Sequence, residues 1–127
     1  MITVSVYEGI EYPQEAQICA EALQKWKNGG SLPGYFGSEG SWEENKRLCD
    51  SFVFKVHIKT QKEGPWPPTT PQAARKSNSY LVYAKHWLEQ DKWQIISIMT
   101  PNAHEMARTS FLGELERRAE HFQNSNP

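Results

Sequence analysis

Two short runs of β-branched and aromatic residues near the C-terminal end constrain the fold most. Tyr80 to Ala84 and Trp93 to Thr100 have the composition of strands, and a polar connection separates them. Pro101 follows the second run and has no amide proton to donate to a strand ladder. The pattern therefore predicts an antiparallel hairpin that ends at this proline.

A C-terminal helix is predicted directly after the hairpin. Asn102 is a candidate N-cap, and a helix that begins at Ala103 places His104 and Arg108 four positions apart, on one face. The same helix is expected to continue to Phe122, because apolar residues recur along it at helical spacing. It is expected to pack on the sheet, and the tail 124–127 is expected to be disordered.

Alternation of apolar and polar residues predicts two further strands, Ile2 to Tyr7 and Ser51 to Thr60. The second has one apolar face and one face that carries Lys55, His57 and Lys59. Side chains on one face of a strand lie about 7 Å apart, which suits contact with successive phosphates of a nucleic acid. An ordinary solvated strand face, on which lysine discourages edge pairing, explains the same pattern.

Helices and loops are predicted between these strands. A helix is expected from Pro13 to Asn28, and the glycine-rich segment Ser31 to Ser41 is expected to be a loop. Ser41 is a candidate cap for a short helix over Trp42 to Cys49, and Gln61 to Gln72 is expected to be an extended, proline-rich connection. This order predicts an α+β fold with a small, mostly antiparallel sheet, helices packed on one face, and an open opposite face.

Length and charge limit the possible functions. The 127 residues fit a single domain, 1–127, and a net charge of −1 gives no global basic field that would hold RNA unaided. Cys19 and Cys49 form no C-x-x-C pair, and no apolar run is long enough to cross a bilayer, so we expect a cytoplasmic protein with reduced thiols and no membrane contact. Neither zinc-ligand spacing nor a phosphate-binding glycine loop is seen, so no metal or cofactor is expected.

Titratable and cationic side chains are expected to converge on the open face. Lys55, His57 and Lys59 come from one strand and Tyr83 from the next, with His104 and Arg108 at the rim. Such a set suits RNA cleavage without a metal, because a base must remove a 2′-hydroxyl proton, cations must stabilise the phosphorane, and an acid must protonate the departing 5′-oxygen. Each residue also has an ordinary structural explanation: His104 could cap the helix, and Arg108 could pair with Glu105 or Glu114.

Several segments also resemble one known family. They are KNGGSLPGYFG at 27–37, His57-Ile58, Pro65-Trp66-Pro67-Pro68, Asn78 with Leu81-Val82-Tyr83, and Pro101, His104, Ala107 and Arg108. In order and spacing this set resembles the YafO-type mRNA interferase toxins of bacterial type II toxin–antitoxin systems. Two departures are that Lys59 stands where the family has a second histidine, and that Ser79 stands where it has an aspartate.

The resemblance implies a RelE/ParE-like toxin fold and ribosome-dependent cleavage of translated mRNA in the bacterial cytoplasm. It also implies growth inhibition and a cognate antitoxin, so the protein would be a monomer or part of a toxin–antitoxin hetero-oligomer. Because the family's carboxylate is missing at Ser79, His57 or His104 remains as the candidate general base.

We therefore predict an endoribonuclease in which His57 and His104 transfer protons and Arg108 and Lys59 stabilise the phosphorane. Predicted substrate contacts come from two strands and the segment before the hairpin: Lys55, Lys59, Arg75, Lys76, Asn78 and Tyr83. The alternative is a non-catalytic binding module of the same fold that blocks the ribosome or a topoisomerase by occupation.

Overall fold

The structure, a computed structural model, describes residues 1–126. It is α+β and contains five strands, four α-helices and one 3-10 turn at Gln72–Ala74. The strands are β1 (Thr3–Val6), β2 (Phe36–Ser41), β3 (Val53–Ile58), β4 (Tyr80–Lys85) and β5 (Lys92–Met99). The helices are α1 (Pro13–Lys27), α2 (Lys46–Asp50), α3 (Ala103–Met106) and α4 (Phe111–Gln123).

All five strands form one mixed sheet in the order β1-β5-β4-β3-β2. Three of the four pairings are antiparallel, and only β1 runs parallel to its neighbour β5. The predicted hairpin is β4 and β5, and β3 extends it to an antiparallel meander. The prediction of an α+β fold with a mostly antiparallel sheet is thus confirmed.

Helices cover both faces of this sheet, so the prediction of helices on one face is wrong. Helix α1 packs Ala20 and Leu23 against one face, and α4 packs Leu115 and Phe122 against the other. The reason lies in the central strand, where every residue from Tyr80 to Ala84 is buried. A strand that is apolar on both sides requires cover on both sides.

Two local predictions are wrong, one because a neighbouring strand pairs with the segment and the other because a different residue caps the helix. The glycine-rich segment expected to be a loop contains β2, which pairs with β3 along the sheet edge. The cap of the short helix α2 is Asn45, whose Oδ1 accepts the Leu48 amide proton at 3.0 Å, whereas Ser41 is the last residue of β2.

The predicted C-terminal helix is broken into α3 and α4. Thr109 lies between them, where its Oγ1 donates to the Met106 carbonyl oxygen at 2.7 Å and accepts from the Phe111 amide at 3.2 Å. These bonds replace helical ones at the break. At the start of α3, Asn102 adopts a left-handed backbone with φ 60° and gives no side-chain cap.

Ser125, just after α4, lies against the β4–β5 turn. His86, which is buried at 2% exposure, places Nε2 3.2 Å from the Ser125 carbonyl oxygen. Pro127, the last residue of the tail predicted to be disordered, lies outside the described residues. No helix within residues 1–126 combines the length and apolar character needed to cross a membrane.

Candidate functional site

An open pocket of about 450 Å³ lies between α3 and the connection from β2 to α2. Its lining includes Lys55, Tyr80, His104 and Arg108. The predicted residues Lys55, His104 and Arg108 are thus brought together. Tyr80 was not predicted.

Tyr80 and His104 are joined by a hydrogen bond at this pocket. The Tyr80 hydroxyl lies 2.8 Å from His104 Nδ1, and the two rings meet edge to face with centroids 5.4 Å apart. Tyr80 is only 2% exposed, and burial raises the pKa of its hydroxyl. His104 is exposed, so the pair connects a buried phenol to a solvent-facing imidazole.

Asn78 fixes the helix that carries His104. Its backbone carbonyl oxygen accepts the Ala103 amide proton, and its side-chain Oδ1 accepts the His104 amide proton, both at 3.0 Å. Asn78 therefore caps α3 from a distant part of the chain. It was predicted to contact substrate, but in the structure its amide group is engaged in positioning His104.

His57 completes the group from the neighbouring strand. It is the register partner of Tyr80, and its ring centroid lies 5.0 Å from that of Tyr80 and 6.5 Å from that of His104. The pKa of His57 is lowered, mainly by burial and further by the positive charge of Lys76. The neutral imidazole is therefore favoured at neutral pH.

The backbone of Ser77 accommodates either protonation state of His57. Nδ1 lies 2.8 Å from both the amide nitrogen and the carbonyl oxygen of Ser77. The amide can donate to a bare Nδ1, and the carbonyl can accept from a protonated one. Nε2 is thus left to exchange a proton with a ligand.

The pocket also contains two cations that form no ion pair within residues 1–126, although the carboxylates of Glu43 and Glu44 line it as well. Lys55 Nζ lies over the rings of Trp42 and Tyr80, at 4.4 and 4.9 Å from the centroids, and burial lowers its pKa. Arg108 is exposed and takes part in none of the ion pairs within residues 1–126. Glu114, one of its two expected partners, pairs with helix neighbours instead.

Two predicted substrate contacts lie away from this pocket. Tyr83 is 2% exposed and faces α1, so the expectation that it shares a face with His57 is wrong. Tyr80 and Tyr83 are three positions apart, and side chains an odd number of positions apart lie on opposite sides of a strand. Arg75 is 5% exposed and donates to the carbonyl oxygens of Thr70, Pro33 and Phe36, so it is not open on the sheet surface.

The remaining predicted lysines lie near the far end of β3. Lys59 Nζ lies 5.0 Å from the Trp66 ring centroid, and Lys76 Nζ donates to Ser38 Oγ at 3.0 Å. Lys76 is exposed and close enough to His57 to affect its pKa. These two cations therefore lie beside the pocket and do not line it.

A second polar cluster occupies the opposite face of the sheet. Tyr83 donates to Glu39 Oε2 at 3.1 Å, and Glu39 also accepts from Lys27 at 2.9 Å and from Gln72 at 3.1 Å. Burial opposes the charge on Glu39, but these donors outweigh burial and lower its pKa. The charges of Lys27 and Glu39 are thus paired with each other.

One signal in the sequence could have identified Tyr80. It begins the predicted hairpin, and antiparallel pairing of the two adjacent strands places it opposite His57. Within residues 1–126, no three or more His, Cys, Asp or Glu side chains are arranged to hold a metal ion.

The fold and pocket define a class: a small α+β protein in which one imidazole, a phenol and two cations line a solvent-open cavity, and a second imidazole packs against that phenol. Residues 24–124 match the family described as Toxin YafO, type II toxin-antitoxin system. The match covers most of the chain, which therefore belongs to the YafO toxin family, as the resemblance predicted.

One similar protein is the mRNA interferase toxin YafO of Escherichia coli (strain K12). It is 28% identical over 119 residues, which cover 84% of this chain and 89% of the relative. No solved structure matches the chain, so the RelE/ParE-like assignment stays a prediction.

Proposed function

We propose that this single-domain protein is the toxin of a type II toxin–antitoxin system and cleaves translated mRNA in a ribosome-dependent manner. The observation that carries the proposal is the Tyr80–His104 hydrogen bond beside His57, in a pocket that also contains Lys55 and Arg108. The name of the Escherichia coli relative, an mRNA interferase, supports the same activity.

His57 acts as the general base in this proposal. Its lowered pKa keeps the imidazole neutral, so Nε2 can take the proton of a ribose 2′-hydroxyl. The 2′-oxygen then attacks the adjacent phosphorus and forms a phosphorane. Arg108 and Lys55 stabilise the added negative charge, because neither forms an ion pair within residues 1–126, although the carboxylates of Glu43 and Glu44 line the same pocket.

His104 acts as the general acid. The Tyr80 hydroxyl orients its ring, lying 2.8 Å from Nδ1 and 3.3 Å from Nε2, and the protonated imidazole donates a proton to the departing 5′-oxygen. The bond between phosphorus and that oxygen breaks, and the products are a 2′,3′-cyclic phosphate and a 5′-hydroxyl. The 6.5 Å between the two imidazole centroids leaves room for one phosphate between base and acid.

The ribosome supplies what the protein's charge does not. A net charge of −1 gives little attraction to free RNA, so positioning of the message by the ribosome is required for efficient cleavage. Ribosomes and mRNA are therefore partners in the bacterial cytoplasm, and a cognate antitoxin protein neutralises the toxin. Cleavage stops protein synthesis and growth.

Primer extension on a translated message tests the proposal. We expect discrete new 5′ ends when toxin, message and ribosomes are combined, and few or none when ribosomes are omitted. A stalled but intact message would overturn the proposal and favour the alternative, a non-catalytic module that blocks the ribosome by occupation. Addition of EDTA after the ribosomal complex has formed and been cross-linked should leave cleavage unchanged.

A further inference from the structure

Two segments that carry the family resemblance lie outside the proposed catalytic pocket. The segment 27–37 and the Pro65-Trp66-Pro67-Pro68 segment meet at a second pocket of about 470 Å³. Its lining includes Leu32, Gly34, Trp66, Pro68, Thr70 and Arg75. Pro71 and Gln72 line it too, so the pocket combines aromatic, aliphatic and polar surface with one cation.

The buried cation has no acidic partner. Arg75 is 5% exposed, and its Nε and Nη1 donate to three backbone carbonyl oxygens. Within residues 1–126, Nη2 makes no hydrogen bond and no carboxylate pairs with the guanidinium, although Arg75 lines the pocket. A buried charge without a counter-ion is costly, so an anion that enters the pocket would be bound favourably.

Close packing holds Arg75 and Trp66 in place. A Cβ atom at Gly37 would lie 2.4 Å from the Arg75 carbonyl oxygen and 3.0 Å from the Trp66 ring, so only glycine fits there. Trp66 is 8% exposed, and Lys59 Nζ lies over its ring. The site is thus prearranged, with the Trp66 ring beside the Arg75 guanidinium group.

A residue that lines the second pocket is close in sequence to the residue that holds His57 beside the first pocket. Arg75 lines the second pocket, and Ser77, two residues later, holds His57 at the first. Two residues span at most about 7 Å, which is comparable with one step along an extended RNA strand. Lys76 lies between them, exposed and hydrogen-bonded to Ser38.

We propose that this second pocket binds one unpaired nucleotide of the mRNA next to the cleaved bond. Its phosphate contacts Arg75 Nη2, and its base packs against Trp66 and the prolines, as unpaired bases pack on aromatic side chains elsewhere. This inference rests on the proposed function. A nucleotide fits better than an acidic peptide because the pocket places an indole ring beside a single cation, two residues along the chain from Ser77, which holds His57.

The test uses the full-length chain carrying His104→Ala, so that cleavage does not interfere with binding. Nucleoside 5′-monophosphates are titrated, and the indole N–H signal of Trp66 is followed by NMR after its assignment with Trp66→Phe. Thr70→Glu places a carboxylate beside Arg75, and Thr70→Gln is the uncharged match of the same size. We expect the Trp66 signal to shift, and binding to Thr70→Glu to be at least about tenfold weaker than binding to Thr70→Gln.

Each outcome decides the proposal. It is overturned by an unmoved Trp66 signal, by equal binding to the two Thr70 variants, by an identical shift with inorganic phosphate alone, or by a shift with an acidic peptide only. Nucleotide binding without any cleavage of translated mRNA by the wild-type chain would instead retain the pocket and remove the catalytic proposal. Cleavage without nucleotide binding would do the reverse.

Discussion

Strand β4 carries two hydrogen-bonded tyrosines on opposite faces of the sheet, and they differ in what surrounds them. Tyr83 donates to Glu39, which is also held by Lys27 and Gln72, so this cluster is paired. Tyr80 contacts the exposed His104, in a pocket whose cations Lys55 and Arg108 have no ion pair within residues 1–126. In one cluster the charges are paired directly, whereas in the other the two cations and the carboxylates of Glu43 and Glu44 line one open pocket without forming ion pairs to each other within residues 1–126.

This contrast separates stability from function. The donors around Glu39 keep it charged, whereas burial lowers the pKa of both His57 and Lys55 and disfavours their charged forms. A bound phosphate would offset that penalty in the open pocket, because it would add a negative charge to those of Glu43 and Glu44, whose effect on Lys55 is outweighed by burial. The paired cluster has no such unmet requirement.

The largest effect is expected from His104→Ala combined with Arg108→Ala. Loss of the proposed acid and of one phosphorane-stabilising cation should lower the rate of mRNA cleavage by about 10³-fold or more and abolish growth inhibition. Both residues are exposed, but His104 is the hydrogen-bond partner of the buried Tyr80 hydroxyl, so the free energy of unfolding should fall by about 1–3 kcal/mol and the chain should remain folded. Induced growth curves and denaturant unfolding measure the two quantities.

The matched control for this double variant is His121→Ala with Lys62→Ala. It removes another exposed histidine and another exposed cation, both far from the pocket lining. The control should remain toxic. Retained cleavage by the first double variant would reject the site assignment.

The two tyrosine clusters can be compared directly with Tyr80→Phe and Tyr83→Phe. Tyr80→Phe should slow cleavage by about tenfold to a hundredfold, because His104 loses its orienting partner. Tyr83→Phe should leave cleavage nearly unchanged and lower the free energy of unfolding by roughly 1 kcal/mol, because a buried hydrogen bond to a carboxylate is lost. Equal effects of the two variants on cleavage would contradict the comparison.

The smallest effects are expected in the pH dependence of stability. The pKa of His57 lies below its ordinary value of 6.5 when folded, so stability should decrease as pH falls from 6.5 toward that lower pKa. The pKa of Glu39 lies below its ordinary 4.5, so its contribution is present above pH 4.5 and is lost as pH falls through the folded value. Glu114, whose pKa is lowered to about 2 by hydrogen bonds from Arg117 and Arg118, acts in the same acid range.

Melting temperatures measured across pH would separate these contributions. His57→Gln should flatten the change just below pH 6.5, and Glu39→Gln should flatten part of the change below pH 4.5, each by a few degrees at most. If His57→Gln changed stability only below pH 4.5, and Glu39→Gln only near pH 6.5, the charges would be paired differently from those in the structure.

The sequence predicted the hairpin, β3, α1 and the convergence of Lys55, His104 and Arg108, because periodicity and short spacing determine these features. It did not predict β2, whose glycines and serines form a strand only through pairing with β3. The prediction also placed helices on one face only, although the apolar run from Tyr80 to Ala84 is covered on both faces. Strand composition alone did not show how many helices would pack there.

The site itself was predicted only in part. Asn78 and Arg75 were both expected to contact substrate; in the structure the hydrogen bonds of Asn78 fix α3, and three carbonyl oxygens hold Arg75 in a buried position. The bonds between Asn78 and His104 and between Arg75 and Phe36 join segments distant in sequence, which spacing alone does not show. Whether Tyr80 belonged to the site depended on the strand register, which the complete sheet provides.

The chemistry of the new RNA ends tests the central claim most directly. If His57 and His104 transfer protons to and from ribose oxygens, fragments produced on ribosomes should carry 5′-hydroxyls and 2′,3′-cyclic phosphates. Their 5′ ends would then accept labelled phosphate from a polynucleotide kinase without prior dephosphorylation. Fragments with 5′-phosphates would contradict attack by the 2′-oxygen, and with it the roles assigned to the open pocket.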